Sequence, residues 1–517
     1  MATTRPEALR AGAAASGAAL LMVAAAANAA TSPPLQPTLA FSTVATDNAE
    51  LTADVNSRTD LIGDLDLGVI VRSHGGRVTL TGDAGLDFIG YVRHSEPDRV
   101  LPRGKLDMNA VLVDGLLFFD GELAAARTRS DPLAAQSDSN STANTVSSLS
   151  LRAIPYLTHD FSSTLNANAR IDTTITRYRT DDATGVTAPN GSLYQRDTVS
   201  LVRKPTPIGV TVDFAHEDTR YQDAEASALR SNLLQATLDT AINGELVLGL
   251  VGGRENAVYA GVNEDDTIYG GLLKWHPSKR LALDIDAEHH YYGTGWNLHF
   301  RDRMPRTVVD LVLSRSSSGA GASFAVTSPD SDPVALLGAL LSSRAPDTAD
   351  SDPAVDTLVQ ASNLPRTFSQ PLQISSESPQ LATRAAFNLI HIGVRNTLYA
   401  SAWYLKADAL PSPTPGVAAT TFDSRQWGGS LGLFHRLSPD ISAAAEVDWS
   451  TLEALGTRRG DSQRQVSGTL SLTQRLGPRT SLSCGLRHFS SRAVLNSTST
   501  TTDVRENQAF AGLRVQY

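Results

Sequence analysis

The sequence predicts an all-β fold, a single large transmembrane antiparallel β-barrel of about 22 strands with both termini periplasmic. Three observations point to it. Apolar and polar residues alternate over long runs, and the connections between runs swing between very short and long. Beyond the first thirty residues no stretch approaches the roughly 18 apolar residues of a membrane helix.

The chain opens as an export signal. Arg5 and Arg10 give a positive start, and residues 11–27 are an alanine-rich apolar run containing Leu20, Leu21, Met22 and Val23. Ala27-Asn28-Ala29 then supplies the small-x-small pattern that signal peptidase accepts. Residues 1–29 are read as a signal peptide, 30–37 as a short periplasmic segment and 38–517 as the barrel. With no Cys near the cut, a lipid-anchored form is excluded. Cys484 is the single cysteine, so no intrachain disulfide forms. The net charge of −10 argues against nucleic acid as a partner.

The strands announce themselves by period. Leu65, Leu67, Val69 and Val71 alternate with Asp64, Asp66, Gly68 and Ile70, and Leu86 and Phe88 with Asp83, Gly85 and Asp87. Leu281, Leu283 and Ile285 alternate with Asp284, Asp286 and Glu288, and Leu470 and Leu472 with Thr469, Ser471 and Thr473. Successive strand residues point to opposite faces, so each segment has one oily and one wet face. Short turns are marked at Gly75-Gly76, Asp114-Gly115, Thr206-Pro207, Asn243-Gly244 and Pro277-Ser278. Others lie at Met304-Pro305, Gly393 to Asn396, Ser438-Pro439 and Gly477-Pro478. Longer polar connections lie at 130–144, 180–192 and 411–421. The first strand is placed near Thr38–Ala45 and the last at Asn507–Tyr517. Residues 316–380 break the rhythm and are read as one long extracellular loop. It carries a short helix from Asp332, the N-cap, with Pro333 at its first position, to Ser343. In the last strand Tyr517, Val515, Leu513, Ala511 and Ala509 fall on one face, a pattern that resembles the insertion signal read by the outer-membrane assembly machinery.

Nothing in the sequence reaches a catalytic, cofactor or metal constellation, and the chain is read as a non-enzyme. Adjacent residues on a strand face opposite sides, so His289 and His290 cannot share a metal. With Tyr291 and Tyr292 beside them they are read as an aromatic girdle at the membrane interface. Arg459-Gly460-Asp461 is read as a solvated turn, and Cys484, between Leu482 and Leu486, as lipid-facing. The alternation places Asp64, Asp66, Asp83, Asp87, Asp284, Asp286 and Glu288 in the lumen, with Asp213, Asp310, Glu446 and Asp448. Such acids either select cations or pair with inward arginines such as Arg170.

Thr46-Asp47-Asn48 after the first strand resembles a feature of outer-membrane barrels associated with the exosortase (PEP-CTERM) sorting system. So do the segment from Trp296 through Arg301, Arg303 and Arg306-Thr307 to Leu313-Ser314-Arg315, and the turn Arg395-Asn396-Thr397-Leu398. The likeness would cover nearly all of the mature chain. It implies a setting, envelope or exopolysaccharide biogenesis, and no catalytic residues. The sequence thus leaves two functions open. One is a channel or export component handling a polysaccharide, an exported protein or small polar solutes. The other is a non-conducting scaffold or adhesin working through its loops. An energy-coupled receptor needs a plug domain, for which the roughly eight residues between Ala29 and the first strand leave no room. Outer-membrane lipids and the assembly machinery are the partners expected either way.

Overall fold

A computed structural model describes residues 35–53, 56–129, 131–135, 145–179, 191–221, 229–259, 262–318, 369, 371, 380–410, 423–496 and 499–516. Residues 1–29, read as a signal peptide, residues 332–343, read as a helix, and Tyr517 lie outside the described residues. Within them the chain forms 22 strands. They are β1 (Leu35–Thr46), β2 (Asp60–His74), β3 (Val78–Tyr91), β4 (Arg99–Val113), β5 (Leu117–Arg129), β6 (Thr145–Asp160), β7 (Leu165–Arg179) and β8 (Ser192–Arg203). Next come β9 (Ile208–Tyr221), β10 (Leu229–Ala241), β11 (Leu246–Tyr259), β12 (Val262–Trp275), β13 (Leu281–His290), β14 (Gly293–Arg303) and β15 (Thr307–Ser318). The last seven are β16 (Gln380–Ile392), β17 (Asn396–Ala409), β18 (Ser424–Arg436), β19 (Ile441–Ala454), β20 (Ser462–Gly477), β21 (Thr480–Leu495) and β22 (Thr500–Gln516).

Each strand pairs antiparallel with its neighbours in sequence. β1 then pairs with β22, from Thr38↔Gln516 to Thr46↔Gln508, so the sheet closes on itself. Closure satisfies the N–H and C=O groups that an open edge would leave unpaired in hydrocarbon. β1 begins three residues earlier than the alternation suggested, so Leu35, Gln36 and Pro37 belong to the barrel rather than to a preceding segment. β22 likewise starts at Thr500, and Ser316–Ser318 and Gln380 are strand rather than loop.

Ten connections of two to five residues form one rim, called the turn rim here; the remaining connections form the loop rim. Both strand β1's start and strand β22's end stand at the turn rim. Side-chain oxygens bend several of these turns. Asn243 Oδ1 accepts from the Glu245 and Leu246 amides at 2.9 and 2.8 Å, and Ser438 Oγ accepts from Asp440 and Ile441 at 3.3 and 3.0 Å. The turn at 161–164 has neither Gly nor Pro; there Ser162 Oγ accepts from Thr164 and Leu165 at 3.2 and 3.0 Å.

Cross-strand partners share a face, so register and exposure together separate outside from inside. The outward set is apolar and bare: Leu67, Leu86, Leu201, Phe214, Leu234, Leu250, Leu470 and Leu486 all stand exposed, Leu250 at 71%. A water-soluble surface does not carry apolar area on this scale, whereas a lipid-facing band must. Cys484 is exposed on this outer face, between Leu482 and Leu486. Ala509, Ala511, Leu513 and Val515 share it, opposite Ala45, Thr43, Phe41 and Leu39 of β1.

Candidate functional site in the barrel lumen

The inward face divides into two halves. Near the turn rim it carries small or polar side chains, such as Asn168, Thr211, Ser471 and Gly512. Towards the loop rim the inward residues become bulky and buried. Val44, Ile62, Ile89, Tyr91 and Leu101 form one cluster there, with Phe510 packed against it. Leu229, Tyr259 and Leu410 form another, joined by Tyr291, Tyr292 and Leu381. On the wall of β17 and β18, Tyr399 lies against Gly432 and stacks on Phe434 at 5.9 Å between ring centroids. Its hydroxyl donates to Glu446. A Cβ at residue 432 would sit 2.0 Å from the Tyr399 ring, so this close approach requires glycine.

Connections of the loop rim turn inward onto this half. Leu51, between β1 and β2, packs on the inward Phe489 and Val504 beside Ala135, which lies between β5 and β6. Gln463 Nε2 of β20 donates to the Ala134 carbonyl at 2.7 Å, joining residues 329 apart in sequence. Trp403 Nε1 donates to Ser369 Oγ at 3.2 Å, so the segment between β15 and β16 touches the inner wall at that point. The Thr46-Asp47-Asn48 motif is a rivet. Asn48 is fully buried, and its Nδ2 donates to the Thr52 and Arg505 carbonyls at 2.8 and 2.9 Å. Its Oδ1 accepts from the Thr52 amide at 3.1 Å, and Thr46 Oγ1 donates to Glu506 at 2.7 Å. The motif therefore pins the β1–β2 connection to β22.

The inward acids read from the alternation, Asp64 apart, meet hydrogen-bond or ion-pair partners on the wall. Arg103 of β4 reaches Asp66, Asp83 (2.9 Å) and Asp87 (3.0 Å), and Arg127 adds a second contact to Asp87 at 3.4 Å. Asp64 stands one inward position from Asp66. The cation that gathers these acids is Arg103, where the sequence suggested Arg170. Asp284 meets His276 at 2.9 Å, Asp286 accepts from Asn297 at 3.2 Å, and Glu288 lies 3.4 Å from His290. Asp310 is fully buried between Arg301 (2.7 Å) and His299 (3.0 Å). Asp213 accepts from Ser200 at 2.5 Å, and Asp448 from Ser467 at 3.5 Å.

Two readings of the sequence need correction. The girdle at His289 to Tyr292 does not form as a unit. His289 stacks outward on Tyr269 at 4.9 Å, but His290 points inward to Glu255 at 3.0 Å and stacks on Tyr292 at 5.1 Å. Tyr291 and Tyr292 make up the β13–β14 connection, and burial against the inner cluster pushes both phenols above the usual tyrosine range. The strand rule of alternating faces fails because these two residues are a turn. The second case is Asp461, which is buried rather than solvated: it accepts from Arg458 Nε at 3.0 Å and from the Asn496 amide at 2.8 Å. Among the described residues no three metal-ligating side chains gather at one point.

No family model and no curated protein matches the sequence. Solved outer-membrane barrels do align with it. The siderophore receptor PiuA from Acinetobacter baumannii is 8% identical, with 93% of this chain and 82% of that one covered and a TM-score of 0.46. The ferric-catecholate import receptor Fiu from E. coli is 9% identical over 93% and 82% of the two chains, with a TM-score of 0.45. The outer membrane protein OpdK from Pseudomonas aeruginosa is 9% identical over 93% and 99%, with a TM-score of 0.34.

Proposed function

We propose that this chain is a non-enzymatic barrel of the bacterial outer membrane, with its turn rim and both termini in the periplasm. In this reading it serves as a channel or export component in envelope or exopolysaccharide biogenesis, taking a polysaccharide, an exported protein or small polar solutes. The observation that carries it is the closed ring itself, apolar on the outside and lined with paired carboxylates, hydroxyls and amides within. A ring of this strand number encloses a lumen wide enough to hold water unless something fills it. Export of the chain and the sorting-system setting rest on the sequence motifs, as does its delivery by the assembly machinery.

A specific observation favours a second reading, a non-conducting scaffold working through its loops. The contacts from Leu51, Ala134 and Ser369 to the inner wall narrow the loop-rim half. Planar-bilayer recording of the purified protein separates the two. A steady open current supports the channel. Silence in the wild type together with current in an Asn48→Ala variant means a channel held shut by its loops. Silence in both removes the channel reading.

A further inference from the structure

The outer face of β17 to β21 carries a charge arrangement that the lumen does not explain. Tyr404 stands opposite Trp427, and Trp449 opposite Val466, all on the outward side. One outward position closer to the loop rim, Lys406 stands directly opposite Arg425 and Arg464 directly opposite Arg492. These are the two places in the registers of the described strands where one Lys or Arg faces another. Like charges directly opposite each other on adjacent strands are destabilising unless a counter-charge intervenes.

The molecule shows how it treats the opposite case. Asp66 faces Asp87, and Arg103 bridges the two; Asp107 faces Glu122, and Lys105 lies 3.4 Å from each. The basic pairs have no such bridge among the described residues. Lys406 meets Asp408 at 2.6 Å, Arg425 meets Glu453, and Arg492 meets Asp503 at 3.6 Å, each carboxylate flanking one cation rather than joining two. Arg464 has no ion pair among the described residues.

Position supplies the rest. The basic side chains are two residues, roughly 7 Å along a strand, beyond the aromatic rings that mark a membrane interface. Arg425 lies over the Trp427 ring at 5.7 Å, which holds its guanidinium at that border. On the turn-rim side the same face opens into a shallow apolar groove lined by Leu433, Ala445, Leu470, Leu472, Cys484 and Leu486. A ligand that fits both carries phosphate above and acyl chains below. We infer that this strip binds a phosphorylated lipid of the outward leaflet, its phosphates bridging Lys406 to Arg425 and Arg464 to Arg492. The inference rests on the proposed orientation, with the loop rim facing outward.

The test uses the full chain folded into phosphatidylcholine vesicles doped with bisphosphorylated lipid A or with the same lipid after removal of its phosphates. Native mass spectrometry of the released protein reads retention. The wild type is expected to retain the phosphorylated form selectively. An Arg464→Gln/Arg492→Gln variant should retain it roughly 25-fold less, about fivefold for each charge removed near an anionic surface. Arg464→Gln alone, which breaks no ion pair, gives a fivefold loss and guards against misfolding of the double variant. Equal retention of both lipids, or unchanged retention in the variants, overturns the inference. So does equal stabilisation by inorganic phosphate, which would mean a free-anion site. Impermeant thiol labelling of Arg492→Cys in a Cys484→Ser background on intact cells reads orientation separately. Labelling from outside without lipid preference overturns the lipid site alone, and its absence overturns the orientation as well.

Discussion

The two halves of the lumen are built by the same strands with the same alternation, yet they are different materials. In β20 the buried inward positions are Gln463, Gln465 and Ser467, all towards the loop rim, while Thr469 to Thr473 are only partly covered. β7 repeats this with Asp172, Thr174 and Thr176, and β22 with Val504, Glu506 and Gln508. The loop-rim half is filled, with polar side chains buried beside the apolar clusters, and the turn-rim half is a lined wall. Alternation therefore specifies which side a residue faces, but not whether that side is filled. Residue size and inward-folding connections decide the filling.

Four experiments sharpen or break this contrast. The largest effect is expected from Phe489→Ala, which removes the ring that Leu51 and Val504 pack against. Phe-to-Ala changes in a packed core cost about 3–5 kcal/mol. Thr473→Ala, in the lined half, should stay within about 0.5 kcal/mol. Urea unfolding in lipid vesicles measures both, and equal midpoints would mean the loop-rim half is not a core. Next is Arg103→Gln, which leaves Asp66, Asp83 and Asp87 without their shared cation. A loss of about 2 kcal/mol is expected, below the buried-pair range because Arg103 is 27% exposed. Arg103→Lys, which keeps the positive charge, should recover part of that loss, and a loss equal to that of Arg103→Gln would assign the effect to packing. Asn48→Ala follows, at about 2 kcal/mol for a buried side chain that loses its hydrogen bonds. Its diagnostic readout is faster proteolysis between β1 and β2 with the barrel still heat-modifiable. Least disturbing should be Asp284→Asn, Asp286→Asn and Glu288→Gln together, since each acid meets its own histidine or asparagine and no one cation is shared among them. Stability should hold while cation preference in a salt gradient falls. An unchanged reversal potential would show that the column does not act on permeating ions.

The barrel was legible because its period is short and each strand repeats it. Turns signalled by Gly, Pro or Asn were legible as well, whereas 161–164 was not, because a serine hydroxyl does the work there without either backbone-breaking residue. The inward register of Asp284, Asp286 and Glu288 could be read from one strand alone. Arg103 as the hub of Asp66, Asp83 and Asp87 could not, since it requires the stagger between β2, β3 and β4. A trace of the filled half was visible: Leu61-Ile62 and Phe88-Ile89 put apolar side chains on both faces, which a water-lined wall has no reason to do. Tyr291 and Tyr292 misled because a two-residue connection was read as strand.

The seam between β1 and β22 also dictates an order of events. Thr46 and Glu506, bonded across it, are 460 residues apart in the chain. No partial product emerging from the ribosome holds both sides, so the ring cannot be completed strand by strand during synthesis. Every earlier hairpin must wait with its edge exposed, and an exposed edge recruits whatever strand it meets first. The last segment to arrive is thus also the clasp, and a chain truncated anywhere before Gln508 is an open ribbon that must be guarded or destroyed.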